Sequence, residues 1–392
     1  MLAGAVFLSA SASDYGSANQ FNPIQTGVNS LDITPDARGA SMGDLGVASD
    51  PDANSQFWNP SKYAFAYSSA GVSLSYTPWL RKLVNDIFLA NVAGYWKVGS
   101  SDNQAISASL RYFSLGEVTS GGDEYGGSVM TLNPYELAFD LGYSRKLSEK
   151  FSMGVAFRYI YSDLGFTESE ANGGQTVGAS AFAADIAGYY TTYPMIGRTE
   201  CQWSLGFNLS NIGSKVNYDH GANPAFLPAQ LRIGTSFMFP LADYHLLAFN
   251  LDLSKIMVPT MPRENDFDMT TEEGQYAYYE EKEKWETMSS ISGIFKSFAD
   301  GSASEEFQEI RFSIGAEYSY NDQFFLRAGY FYEHPNKGNR QYLGLGAGFA
   351  LKVVRLDASY MVATAASSPL DQTLRFSLTF DMDGLKDLFK RR

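Results

Sequence analysis

Histidine and cysteine are nearly missing from this chain of 392 residues, which has three His (220, 245 and 334) and one Cys, Cys201. A single cysteine excludes an internal disulfide, so an oxidising compartment would supply no covalent staple here. Three scattered histidines leave little material for a general base or a zinc site, and no zinc-ligand or phosphate-cradling spacing occurs. Positive charge is also short: 29 Lys+Arg against 43 Asp+Glu give a net charge of −14. That balance excludes nucleic acid as a partner, because neutralising phosphates needs clustered Lys and Arg. There is no apolar run of about 18 residues, which excludes a transmembrane helix as the main anchor. A β-barrel escapes that argument, since only every second residue of its strands meets lipid.

What is present favours strands. Aromatics make up 15%, with 25 Tyr and 28 Phe, beside 36 Gly and only 18% charged residues. That mixture suits strands and turns better than helices. From about residue 69 the chain repeats segments of alternating apolar and small or polar residues, each closed by turn residues. In "FSMGVAFRYIY", Phe151, Met153, Val155, Phe157, Tyr159 and Tyr161 share one face, and Ser152, Gly154, Ala156 and Arg158 share the other. Fourteen such segments are expected, near 69–76, 87–97, 104–115, 134–146, 151–163, 177–193, 200–210, 229–239, 244–255, 308–320, 323–332, 341–350, 353–362 and 371–381. Their connections alternate long and short, which is the pattern of an outer-membrane barrel with short periplasmic turns and long extracellular loops. The expected fold is therefore all-β, a 14-stranded antiparallel transmembrane β-barrel over residues 68–381, with the aromatic face to lipid and the polar face to the lumen. Asn250 and Asp252, flanked by Phe249, Leu251 and Leu253, fit that assignment: in hydrocarbon these two polar groups would cost several kcal/mol. An even strand number places both termini on the periplasmic side, including a tail over 382–392. A soluble β-sandwich also has period two, but it does not account for the alternating loop lengths.

The stretch "MLAGAVFLSASAS", residues 1–13, reads as the remnant of a secretory signal, with Ala10 and Ala12 in an A-x-A arrangement. Between it and the first strand, residues 14–67 lack strand pattern. A barrel of fourteen strands leaves a lumen that its own wall cannot fill, so this segment is expected to be a luminal hatch. Gly39, Gly43 and Gly46 allow tight turns and close backbone approach, Asn59-Pro60 marks a turn, and Met42, Phe57, Trp58, Tyr63 and Phe65 are anchors. The alternative is a periplasmic tail with incidental apolar residues. Asp50, Asp52 and Asn54 form a D-x-D-x-N run, but Ser55 stands where a calcium loop needs Gly and no Glu closes it, so it reads as a turn.

The run "DARGASMGDLGVASDPDANSQFWNPSKYAF" resembles the signature of the FadL-like superfamily of outer-membrane barrels, in which a Gly-Ala-Arg-rich stretch and an Asn-Pro precede the barrel. Together with "SYTPWLRKLVNDIFLA" it is similar to the PorV (LptO) family of the type IX secretion system of Bacteroidetes-type bacteria. The positions that carry the hatch signature are Arg38, Gly39, Met42, Gly43, Asp44, Gly46, Asn54, Phe57, Trp58, Asn59 and Pro60. The resemblance implies a secretion component with no catalytic residues, metal or cofactor. Such a protein binds the C-terminal signal domain of secreted cargo at the large translocon barrel (SprA or Sov type). It then shuttles the cargo to an attachment complex with a sortase-like subunit (PorU type), among the lipid and lipopolysaccharide of the outer membrane. The alternative is a FadL-like channel for hydrophobic small molecules, and after it a lipid A deacylase. For the deacylase, His245 lies beside a short turn, while His220 is on the long-loop rim next to Asp219.

One connection is exceptional. Residues 256–307 hold twelve acidic and four basic residues, −8 of the chain's −14. Connections of that length are usually functional or disordered. Within it, Tyr278, Trp285, Met288, Ile291, Phe295 and Phe298 follow helical spacing, so "YYEEKEKWETMSSISGIFKSFA" reads as one amphipathic helix weakened at Gly293. Its apolar stripe is expected to meet either the protein's own loops or a partner.

Overall fold

The computed structural model describes residues 21–80, 84, 86–99, 102–120, 130–164, 178–218, 224–365, 368 and 370–384. The signal-like start, His220 with Asp219, and most of the C-terminal tail lie outside them. Fourteen antiparallel strands close into one barrel. They are β1 Ala70–Pro78, β2 Ile87–Val98, β3 Gln104–Leu115, β4 Tyr135–Lys146, β5 Phe151–Asp163, β6 Ala179–Thr192 and β7 Gln202–Gly213. The second half is β8 Gln230–Ala242, β9 His245–Ile256, β10 Arg311–Tyr320, β11 Phe324–Tyr332, β12 Gln341–Ala350, β13 Val354–Ala363 and β14 Leu374–Asp381. Each strand pairs with the next, and β1 closes on β14 in the register Gly71↔Asp381 to Tyr76↔Phe376. Closure leaves no unpaired edge, the condition for strands to cross hydrocarbon.

The alternation fixes the two faces. On β4, Phe139, Leu141 and Tyr143 are exposed outward, while Glu136, Asp140 and Ser144 are buried inward. At the rim of long loops the outward rings of Tyr76, Phe88, Tyr112, Tyr135 and Tyr161 follow one another at 5.6–6.0 Å. At the rim of short turns, Phe239–Phe249, His245–Tyr320 and Phe324–Phe349 sit 6.0, 4.9 and 5.0 Å apart. Between the rims lie Leu74, Val92, Leu110, Val155 and Ile186, all exposed. An apolar band between two aromatic girdles is the surface that a bilayer demands. No described helix is long and apolar enough to cross a membrane. Crossing falls to the strands.

Residues 21–66 run through the lumen from one rim to the other. Asn22 N donates to Asn336 O (2.7 Å) and Gly27 N to Phe226 O (2.8 Å), both at the long-loop rim. At the short-turn rim, Ser152 Oγ donates to Ser61 O (2.8 Å) and Ser69 N to Asp383 Oδ2 (2.5 Å). The expectation that both termini are periplasmic falls on residues 1–20 and 385–392, which lie outside the described residues. Residue 22 stands at the long-loop rim, because the hatch uses the full height of the lumen to bury its length. Asp381 and Asp383 stand at the other rim.

Candidate functional site

Two features can carry function, the hatch and the long loop above it. The hatch folds as short pieces: helix α1 Ala37–Ser41, helix α2 Ser55–Trp58 and a 3-10 turn over Pro60–Phe65. Asp36 caps α1, accepting from Gly39 N (2.7 Å), and also accepts from Trp58 Nε1 (2.7 Å). One carboxylate thus ties the two helices together. The Trp58 indole is clasped between glycines: a Cβ on Gly39 would lie 2.5 Å from its Cζ2, and one on Gly46 would lie 2.6 Å from its Cδ2. Gly46→Val is expected to destabilise the hatch by about 1–3 kcal/mol through overpacking, and thermal unfolding followed by tryptophan fluorescence checks this.

Charge then fastens the hatch to the wall. Arg38 makes a two-pronged pair with Glu317 of β10 (Nε 3.0 Å, Nη2 2.8 Å) and holds Asp52 Oδ2 (3.0 Å) and Asp50 O (2.9 Å) with Nη1. Glu317 also accepts from Arg327 Nε (2.5 Å), and Arg327 donates to Asp357 (2.9 Å). Asp252 of β9 receives Gly46 N (2.8 Å) and Val47 N (2.9 Å), and Asn208 of β7 donates to Trp58 O (3.0 Å). The Phe57 ring lies between two guanidiniums, Arg111 at 4.7 Å and Arg232 at 4.6 Å. Asn59 donates to Val47 O and Gly188 O, both at 2.9 Å, and accepts from Ser61 N (3.1 Å), which makes the Asn-Pro turn. Asp44 receives the Tyr342 hydroxyl, and Met42 packs on β10 and β11 where Gly315 and Gly329 leave room for it.

All the signature positions lie in this plug, and all are buried except Asp44, which is half-buried. The D-x-D-x-N run is a turn: Asp52 Oδ1 accepts from Asn54 N (2.9 Å) while its other oxygen serves Arg38. The sequence reading missed the wall partners Glu317, Arg327, Asn208, Arg111 and Arg232. The available signal was a charged or amide side chain on the small, inward face of a strand. Among the described residues, the two best-formed cavities have volumes of about 10 Å³ each, room for roughly one water.

Above the rim, the connection expected to hold one amphipathic helix holds three. They are α3 Glu272–Thr287, α4 Ser290–Lys296 and α5 Ala303–Gln308. The break falls at Met288–Ser289 because Ser289 is extended and its hydroxyl starts α4, accepting from Ser292 N (3.2 Å). This divides the six stripe residues. Tyr278 and Trp285 are buried; Trp285 donates to Pro259 O (2.9 Å) and meets Phe226 edge-on at 5.2 Å. Met288 packs with that cluster. Ile291, Phe295 and Phe298 are exposed, together with Tyr276 and Tyr279. Gly293 lets α4 approach Phe226, where a Cβ would lie 2.8 Å from Cε1.

The loop is anchored to the rim. Lys215 caps the end of α3 through Trp285 O (3.3 Å) and Glu286 O (2.8 Å), and burial lowers its pKa. Lys337 holds Glu305 (3.1 Å) and Glu309 (3.0 Å), and Lys255 holds Glu306 (2.8 Å). Burial pushes the Asp300 carboxyl up to about 6, although it accepts from Thr260 N (2.6 Å). The hydrogen bonds of the two described histidines do not form a nucleophile–base–acid relay. His245 is bonded to the Tyr318 hydroxyl (2.6 Å) at the short-turn rim, and His334 Nδ1 accepts from Asn336 N (3.2 Å).

The family model described as Type IX secretion system protein PorV matches residues 16–263, which take in the whole described hatch and the first nine strands. The chain belongs to the PorV family. It is thereby an outer-membrane β-barrel component of type IX secretion. The barrel is similar to the TodX ΔS2S3 mutant monoaromatic hydrocarbon channel, at 12% identity over 88% of this chain and 98% of that one, with TM-score 0.50. It is also similar to the Ralstonia pickettii toluene transporter TbuX (13%, 90% and 99%, TM-score 0.48) and to a Pseudomonas aeruginosa FadL homologue (11%, 92% and 99%, TM-score 0.42). At these identities the likeness is one of fold, FadL-like. No curated protein is matched by its sequence.

Proposed function

We propose that this PorV-family barrel is a closed docking and shuttle subunit. It binds the C-terminal signal domain of secreted cargo at the large translocon barrel and hands it to the sortase-like attachment complex, without catalysing a reaction itself. The observation that carries this reading is the set of ion pairs and hydrogen bonds that tie residues 36–65 to inward wall residues, among them Arg38–Glu317, Gly46–Asp252 and Trp58–Asn208. A segment fastened to β7, β9 and β10 inside the barrel stands in the way of a folded protein crossing the pore. Interaction then falls to the rim, where the acidic long loop is firmly anchored yet exposes Tyr276, Tyr279, Ile291, Phe295 and Phe298. Acidic flanks around exposed aromatics suit protein contact.

A hydrophobic channel is the second reading, favoured by the likeness in fold to the TodX ΔS2S3 mutant monoaromatic hydrocarbon channel. The charged and polar ties between hatch and wall weigh against it. Crosslinking of the intact protein in outer membranes tests the two: recovery of lipidic ligands alone, with no secreted protein carrying a C-terminal signal domain, would sink the shuttle. Replacing Ile291 and Phe295 together by Ser is expected to weaken capture of a purified signal domain about tenfold, ~1.4 kcal/mol, with unchanged thermal unfolding. Equal capture would move the docking surface elsewhere on the rim.

A further inference from the structure

We propose that Arg375, with Thr77, Trp79 and Ser359, forms a binding site for an oxyanion, a carboxylate or phosphate group, in the seam between hatch and wall. Arg375 heads the largest fully buried side chains, at 1% exposure. Its Nε and Nη2 are buried and have no hydrogen-bond partner. These two atoms form the side-on edge of the guanidinium, the edge that grips a carboxylate or phosphate with two parallel hydrogen bonds. The other buried cations differ. Arg38 and Arg327 hold Glu317, Arg158 holds Asp140 and Asp185, and Lys337 holds Glu309; Arg311 leaves the same Nε and Nη2 edge without partners, but its Nη1 holds Asp32 (2.7 Å). Arg111 and Arg232 at least reach backbone carbonyls, Ser30 O and Phe57 O.

The sheet places further donors in the same row. Ser359 of β13 is the register partner of Arg375, and the pair Tyr76↔Phe376 puts Thr77 of β1 on its other side. Thr77 and Ser359 are 0% and 4% exposed, and Thr77 Oγ1, Ser359 Oγ and Trp79 Nε1 are buried without partners. The Trp79 ring centroid is 5.6 Å from the guanidinium carbon. The row thus joins a bidentate cation edge, two hydroxyls and an indole N–H. A cation is excluded by the guanidinium charge. A neutral polyol would leave that charge uncompensated in a low-dielectric setting, which an oxyanion would neutralise. Two residues further along the same face, Ser377 Oγ accepts from Ala37 N (2.9 Å), so an occupant would lie beside the point where α1 is fastened to β14.

The full chain in detergent, titrated with sodium phosphate and with sodium acetate against sodium chloride at matched ionic strength, tests this by thermal unfolding. A saturable rise of about 2 °C or more over chloride is expected, and it should vanish in Arg375→Met. Should that variant fail to fold, the Thr77→Val/Ser359→Ala pair keeps the guanidinium and is expected to weaken anion binding about tenfold. Native mass spectrometry of protein taken from outer membranes separates the sources. A lipid-mass adduct lost in the Arg375 or Thr77/Ser359 variant supports a lipid headgroup, while a bare protein with a salt-induced shift supports a free anion. Neither shift nor adduct, or a shift that survives in the variants, overturns the site.

Discussion

Removal of residues 36–65 is expected to open the lumen to ions. The deletion takes out α1, α2 and the Asn-Pro turn, and with them the groups that occupy the space between Glu317, Asp252, Asn208 and Phe57's two arginines. The wall should survive it. All fourteen strands are paired by ladders to which the hatch contributes nothing, including the closing pair β1–β14. The inward face left behind carries Asp140, Arg158, Asp185, Glu317, Arg327 and Asp357, which water would hydrate at once. A fourteen-stranded wall cannot fill its own interior, so the hydrated lumen would conduct. In planar bilayers the intact protein should stay near baseline and the deletion variant should show stepwise conductance. Heat-modifiable electrophoretic mobility would confirm that the barrel is formed. Equal conductance in both proteins would mean that the hatch is not the seal.

Arg38→Met should have the next largest effect, about 3–5 kcal/mol. The guanidinium pairs with the wall and with the hatch's own D-x-D-x-N turn at once, through Glu317 and Asp52. Its removal leaves Asp52 without its ion pair and Glu317 with Arg327 and the more distant Arg355 (3.7 Å). A buried carboxylate stripped of its partner loses far more than a surface one, because no water replaces the bond. The loss should appear as release of the hatch, since the strand ladders are independent of it. Proteolysis between residues 36 and 65 and an ion leak would rise together while the barrel stays folded. Adding Glu317→Gln should cost less than the sum of the two single changes, the sign of direct coupling. A single variant with wild-type protease resistance would show that the ion pair does not hold the hatch.

Much of this architecture was legible residue by residue. Period-two alternation is local: Phe157 and Arg158 declare opposite faces by adjacency alone, and the fourteen segments read from it lie within a few residues of the strands found. The expectation of a hatch rests on the same logic in reverse. A stretch with Gly39, Gly43, Gly46, Phe57 and Trp58 has anchors and turns but no strand period, and a wide barrel needs something inside it. The loop helix was half legible. Helical spacing marked Tyr278 to Phe298, but Ser289 restarts the helix, and which rings turn inward depends on Phe226 and Pro259, which arrive from elsewhere in the chain.

The sequence by itself determined the strand number and the two faces of every strand, because both follow from side-chain alternation within a few residues. Only the tertiary structure decided which charges meet. Arg38 and Glu317 are 279 positions apart and become neighbours only when β1 closes on β14 and the hatch is threaded inside. The same closure set residue 22 at the long-loop rim and left the Arg375 edge without a carboxylate. Such pairings are properties of the enclosed volume, and no local pattern in the chain encodes them.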